Sequence, residues 1–289
     1  MTARCANDDA DGCAQLAVLY DDGDGAAQDH VRAAPLFARA CYLGDMASCN
    51  MAGLAHGTGI GAEESSKIAA SYYSLACSGG DATGCSNLGL AYVNGDGVSV
   101  HDAYAASLFD RACAAGSRAG CANLGAAYSL GRGVRRNQQR AADLFEQACN
   151  RGDQHACYNL GVLYRDGLGL RRDEKRAASL FEQSCGADDS SACGNLAAMT
   201  DDGRGQPRNQ QRALELYEQA CTLGKAESCF TLSKAYQTGK GRGRDNRRAI
   251  ALMERALELD PENASSAHVI KALRRARVAE ATDRAARSE

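Results

Sequence analysis

Fourteen cysteines recur along this chain in a fixed beat. They form the couples Cys5 and Cys13, Cys41 and Cys49, Cys77 and Cys85, Cys113 and Cys121, Cys149 and Cys157, Cys185 and Cys193, and Cys221 and Cys229. Members of a couple lie 8 apart, and successive couples lie 36 apart without an insertion or deletion over residues 5–256. Other positions keep the same register. Gly23, Gly59, Gly95, Gly131, Gly167, Gly203 and Gly239 follow each first cysteine by 18, and glycines from Gly25 to Gly241 follow it by 20. Ala33, Ala69, Ala105, Ala141, Ala177, Ala213 and Ala249 follow it by 28. A fixed period of this size is the signature of stacked repeats, in which each unit buries its faces only against its neighbours.

The unit starting at Cys113 shows what repeats. Cys121, Leu124, Gly125 and Tyr128 are spaced i, i+3, i+4 and i+7, one stripe of an amphipathic helix. The spacing predicts a first helix, A, over about 119–130, stopped by Gly131 and Gly133. Asn137 reads as the N-cap of a second helix, B, over about 138–150, and Asp29, Asp173, Asn209 and Asp245 share its register. Ala141, Leu144, Phe145 and Ala148 form the apolar face of B. No alternating strand pattern occurs, so the expected fold class is all-α, an α/α solenoid of helix-turn-helix repeats. The units start at 5, 41, 77, 113, 149, 185 and 221 and occupy residues 1–256; residues 257–289 are expected to form a C-terminal capping helix. Its Val269, Ile270, Leu273 and Ala276 face the last layer, after the segment Leu257–Asn263. The first unit is expected to be frayed or truncated, with only four residues before Cys5 and with Pro35 inside its helix B at a cost of ~3 kcal/mol.

Composition excludes several classes. With 45% apolar residues the chain is not disordered. The longest uncharged stretch, Met46–Ala62, holds His56 and four glycines, which excludes a transmembrane helix there. A net charge of −3 argues against a general nucleic-acid binder, and the basic turns lack interleaved aromatics. The charge is unevenly spread, at −9 over residues 1–112 and +6 over 113–289. Glycine-rich GTGIGAEE (57–64) and GRGV (131–134) recur at the turn register, so they read as helix stops rather than phosphate loops.

The segments GCANLGAAYSLGRGV (120–134) with AADLFEQAC (141–149), and ACYNLGVLYRDGLGL (156–170) with AASLFEQSC (177–185), resemble the Sel1-like repeat family, a relative of the tetratricopeptide repeat. The cysteine couples resemble the Helicobacter cysteine-rich proteins within it. That resemblance implies a curved right-handed superhelix whose helix pairs are stapled by disulfides, each cysteine bridged to the other member of its couple. A short antiparallel connection of roughly five residues is compatible with such a bridge. Two other readings of the cysteines stay open: two-ligand metal sites, disfavoured by spacing and by the lack of nearby histidines, and reduced buried thiols. His56 and Thr200 stand where other units carry Tyr, and together with Met199 they put local packing in question.

Disulfides imply an oxidising compartment, so the chain is expected to be secreted or periplasmic, with a reduced cytoplasmic protein as the alternative. Residues Met1–Ala10 lack the apolar core of a signal peptide, so the chain is read as part of a longer precursor or as exported by another route.

The resemblance also raises β-lactamase or penicillin-binding activity. None of the six lysines has a serine three residues before it, no Lys-Thr-Gly occurs, and the five histidines are scattered. No catalytic residue, metal ligand or cofactor is therefore assigned. A further alternative is a redox or haem-linked assembly factor, after mitochondrial Sel1-repeat proteins with paired cysteines.

The leading expectation is a monomeric, non-catalytic adaptor for a protein or peptide, with an acidic segment favoured by the turn arginines Arg135, Arg136, Arg171 and Arg172. Its second candidate surface is the helix-A strip of Tyr158, Val162, Arg165, Phe230, Lys234 and Gln237, on the face expected to line a concave groove. In the first four units the matching positions are mainly small or apolar, among them Ala14, Val18, Asn50, Leu54, Ser86 and Leu90.

Overall fold

Each 36-residue unit becomes two helices because its local signals agree. In the computed structural model, which describes residues 2–24, 27–241 and 243–262 with Lys271, Arg275, Arg277 and Val278, fifteen helices and no strand occur among the described residues. After a short α1 (Thr2–Ala6), the A helices are α2 (Ala10–Asp22), α4 (Met46–Thr58), α6 (Ala82–Asn94), α8 (Arg118–Leu130), α10 (Gln154–Asp166), α12 (Ser190–Asp202) and α14 (Ala226–Thr238). The B helices are α3 (His30–Tyr42), α5 (Ser66–Ser78), α7 (Asp102–Ala114), α9 (Gln138–Asn150), α11 (Glu174–Cys185), α13 (Gln210–Thr222) and α15 (Asn246–Leu259). The expected capping-helix residues Val269, Ile270, Leu273 and Ala276 lie outside the described residues.

Caps fix these boundaries. Asn137 accepts from the Arg140 N–H, and Asp29, Asp173, Asn209 and Asp245 do the same at their own third residue. His101 fills the register in the third unit, its Nδ1 accepting from the Tyr104 N–H at 3.0 Å. The A helices carry their own caps, Asp9, Asp45, Asp81, Ser117 and Asp189. At the other end, Gly131 adopts φ 75° and donates to the Ala127 carbonyl.

The second turn glycine has a different task. A Cβ on Gly133, at φ 70°, would lie 2.1 Å from the Asp102 carbonyl oxygen of the previous unit's helix B. Gly133→Ala therefore combines left-handed strain with a backbone clash, and is expected to cost ~3 kcal/mol or more. Gly116→Ala, at φ 93° with nothing within 4 Å, meets the strain alone and is expected to lose ~1 kcal/mol. Thermal unfolding of the two variants checks the difference.

Pro35 sits inside α3, which runs unbroken from His30 to Tyr42. The backbone bond it forfeits is the one to Val31, an exposed residue in the first turn of the helix. The substituted positions are also accommodated. Met199 is fully buried, Thr200 donates to the Leu196 carbonyl at 2.7 Å, and His56 stacks on Tyr72 at 5.8 Å.

The helices group into two compact bodies, Met1–Asp153 and Gln154–Glu289. In the first, α2 packs on α3, α4 on α5, α6 on α7 and α8 on α9; α3, α5 and α7 then pack on the next A helix, and α6 touches both α4 and α8. The second repeats the scheme from α10 to α15. The core is thin and built from small residues. In the second body Ala177, Ala178, Ala192 and Ala197 surround Phe181, Leu196, Met199 and Leu216.

Within each body, disulfides cross the junctions between a B helix and the next A helix. Cys5–Cys13, Cys41–Cys49, Cys77–Cys85, Cys113–Cys121, Cys185–Cys193 and Cys221–Cys229 have Cα separations of 4.4–4.7 Å. Cys149 and Cys157 are also disulfide-bonded, and no cysteine is free.

Candidate functional site

The helix-A face of the first body carries the candidate site. Val18, Leu54 and Leu90 occupy one register of α2, α4 and α6, and they are 45%, 42% and 39% exposed. Hydrophobic side chains repeated every 36 residues and left open form a stripe, a different matter from an isolated surface leucine. A groove of about 460 Å³ lies beside Val18, lined by Ala14, Leu19, Phe37, Ala47 and Met51 with Gln15, Asp45 and Ser48. The row four residues earlier is closed instead. Asn50 and Ser86 are buried and accept from Asn87 Nδ2 at 2.8 Å and Asn123 Nδ2 at 3.2 Å, tying each A helix to the next.

The strip expected in the later units is largely engaged within the chain. Tyr158 and Val162 are half-buried against the Phe181 core, with the Tyr158 and Phe181 rings 5.8 Å apart. Arg165 donates from Nε and Nη2 to the two carboxylate oxygens of Asp166, and from Nη1 to Asn195 Oδ1 at 2.7 Å. The Asp166 hydrogen bond pushes the Arg165 pKa further up, and the same contact holds the Asp166 carboxyl below the usual range. Phe230 packs beside Cys221 and Cys229, while Lys234 Nζ lies 4.2 Å from its ring centroid. Gln237 is half-buried.

The turn arginines divide similarly. Arg135 and Arg136 are exposed. Arg171 and Arg172 line a depression of about 760 Å³ with Tyr164, Leu170, Asp173 and Glu174, and Arg172 pairs with Glu174. Others in the second body are committed: Arg176 lies 4.7 Å over Tyr164, Arg208 faces Asp201 at 3.6 Å, and Arg248 bonds Glu218.

Tyr72 and Tyr217 are both pushed up to about 12, with burial the largest cause; the hydrogen bond to Tyr42 adds at Tyr72 and nearby carboxylates add at Tyr217. That direction holds a hydroxyl neutral rather than poising a base. Among the described residues no three His, Cys, Asp or Glu side chains converge as a metal-binding set. No helix among them is long and apolar enough to cross a membrane.

The architecture matches a known family throughout. The Sel1 repeat model matches residues 10–45, 46–81, 82–117, 118–153, 154–189, 190–225 and 226–261. The chain belongs to the Sel1 repeat family. No curated protein matches its sequence. Among solved structures, this Sel1 repeat chain is similar to a protective antigen of uropathogenic Escherichia coli displaying an SLR fold. The two are 24% identical at a TM-score of 0.81, over 94% of this chain and 57% of that one. It is also similar to a Sel1 repeat protein from Oxalobacter formigenes, 24% identical at a TM-score of 0.75, over 84% of this chain and 96% of that one. Both likenesses concern the fold. Helicobacter pylori cysteine rich protein B is 27% identical over 43% of this Sel1 repeat chain and 88% of its own, at a TM-score of 0.35, too low to carry fold or function.

Proposed function

We propose that this Sel1 repeat protein is a non-catalytic scaffold of an oxidising, extracytoplasmic compartment that holds a protein or peptide partner on the helix-A face of residues 10–94. The stripe of Val18, Leu54 and Leu90 carries the reading, since open apolar side chains in register are what a partner helix or strand can bury. The net charge of −9 over residues 1–112 favours an apolar segment with basic flanks. Membership of a repeat family whose members bind proteins supports the scaffold role. The oxidised state of every cysteine supports the compartment. The competing surface is the exposed pair Arg135 and Arg136, whose partner would be acidic. No observation favours the β-lactam or haem readings.

The immobilised protein should retain a partner from the extracytoplasmic fraction of its own source cells. Leu54→Asp with Leu90→Asp, both at exposed positions, is expected to lower that retention at least about tenfold, while Arg135→Glu with Arg136→Glu leaves it unchanged. Loss with the arginine pair alone would move the site to the basic turn. Retention indifferent to both pairs would end the proposal.

A further inference from the structure

One bridge is chemically unlike its siblings. In three units, the residue 30 positions after the second cysteine of a couple is a leucine of the cluster that holds that couple. Leu43 packs against Cys5 and Cys13, Leu223 against Cys185 and Cys193, and Leu259 against Cys221 and Cys229. The same register holds Gly79, Ala115 and Ala187 in three other units. At the Cys113–Cys121 bridge it holds Arg151, whose Nη1 lies 3.2 Å from Cys121 Sγ.

We infer that the Cys113–Cys121 bridge is a thiol-exchange site, reversibly opened by a dithiol, while the leucine-covered bridges are inert staples. A guanidinium does little to an intact disulfide but strongly favours a thiolate, so it improves Cys121 as a leaving group. The attack is assigned to Cys113, which at 8% exposed is the least deeply buried of the fourteen cysteines, while Cys121 is 0% exposed. A dithiol thiolate attacks Cys113 Sγ, forming a mixed disulfide, and the electron pair of the old S–S bond departs on Cys121 Sγ beside Arg151. The second thiol of the reagent, as thiolate, attacks the reagent sulfur in that mixed disulfide, closes the oxidised ring and releases Cys113. The dithiol loses two electrons and two protons, and the two cysteines gain them. All the second cysteines lie in the first turns of A helices, so the helix dipole is common to every bridge and Arg151 is the difference. Opening releases the covalent tie between α7 and α8, both within the first body.

The test is a time course of limiting dithiothreitol on the folded, oxidised protein, with thiols trapped by alkylation and each bridge quantified by peptide mass spectrometry. Cys113–Cys121 is expected to open on the order of tenfold faster than Cys185–Cys193. Arg151→Leu should bring it to the rate of the leucine-covered bridges, and Arg151→Lys should keep most of the advantage. Circular dichroism before reduction confirms that each variant is folded. Equal rates at the two bridges in the wild type, or an unchanged rate in Arg151→Leu, overturns the assignment. So does an Arg151→Lys rate equal to that of Arg151→Leu, since charge would then not be the cause.

Discussion

Full reduction of the folded protein is expected to lower its thermal midpoint by roughly 20 °C or more, read by far-UV circular dichroism with and without dithiol. Each bridge closes a short loop, nine residues counting both cysteines, worth about 2–3 kcal/mol in the chain-entropy model. The layers it joins have little else. The Cys41–Cys49 junction is backed chiefly by Ala76, with Met46 and Tyr72 partly buried beside it. Repeat stability depends on the interfaces between neighbouring units, and these bridges sit on those interfaces. Replacing one pair, Cys185 and Cys193, with alanines should cost about 2–3 kcal/mol and broaden the transition as the array loses cooperativity. A midpoint indifferent to reduction would mean that packing alone holds the layers.

Phe181→Ala is expected to cost about 3–5 kcal/mol, the largest effect of any single side chain in the second body. Phe181 is 0% exposed and is the largest fully buried side chain among the described residues. It fits because α10 offers a glycine. A Cβ on Gly161 would stand 2.8 Å from Phe181 Cε1, so Gly161→Ala should cost about 1–3 kcal/mol by overpacking. The two changes remove each other's cause. Combining Gly161→Ala with Phe181→Ala should therefore destabilise by clearly less than the sum of the singles in denaturant unfolding. Strict additivity would show that helix approach at this point is not set by the glycine and the ring.

The periodic sequence made helix limits legible because their causes are local. A helix A over about 119–130 against the observed Arg118–Leu130, and Asn137 as a cap, follow from residues within four positions of one another. His101 escaped that reading because a histidine caps only through a neutral ring nitrogen, and the helix-A caps such as Asp45 escaped because the short connection hides them beside the cysteines. The open face was harder to read. Tyr158 and Leu54 lie on the same side of their helices, yet Tyr158 packs on Phe181 while Leu54 faces water. Only the packing of a neighbouring layer, not helical spacing, separates them. Arg165 and Arg172 stand in the sequence as candidate partner-binding residues, and spacing alone does not show that the neighbouring carboxylates Asp166 and Glu174 engage them.

The oxidised couples are the centre of this account, and intact mass with and without reductant, combined with alkylation of the untreated protein, tests them most directly. The native protein should take up no alkylating reagent and gain fourteen hydrogens on reduction, with peptide mapping returning bridges such as Cys41–Cys49 and Cys77–Cys85. Labelling of most sulfurs before any reductant is added would contradict the stapled architecture and the oxidising compartment together.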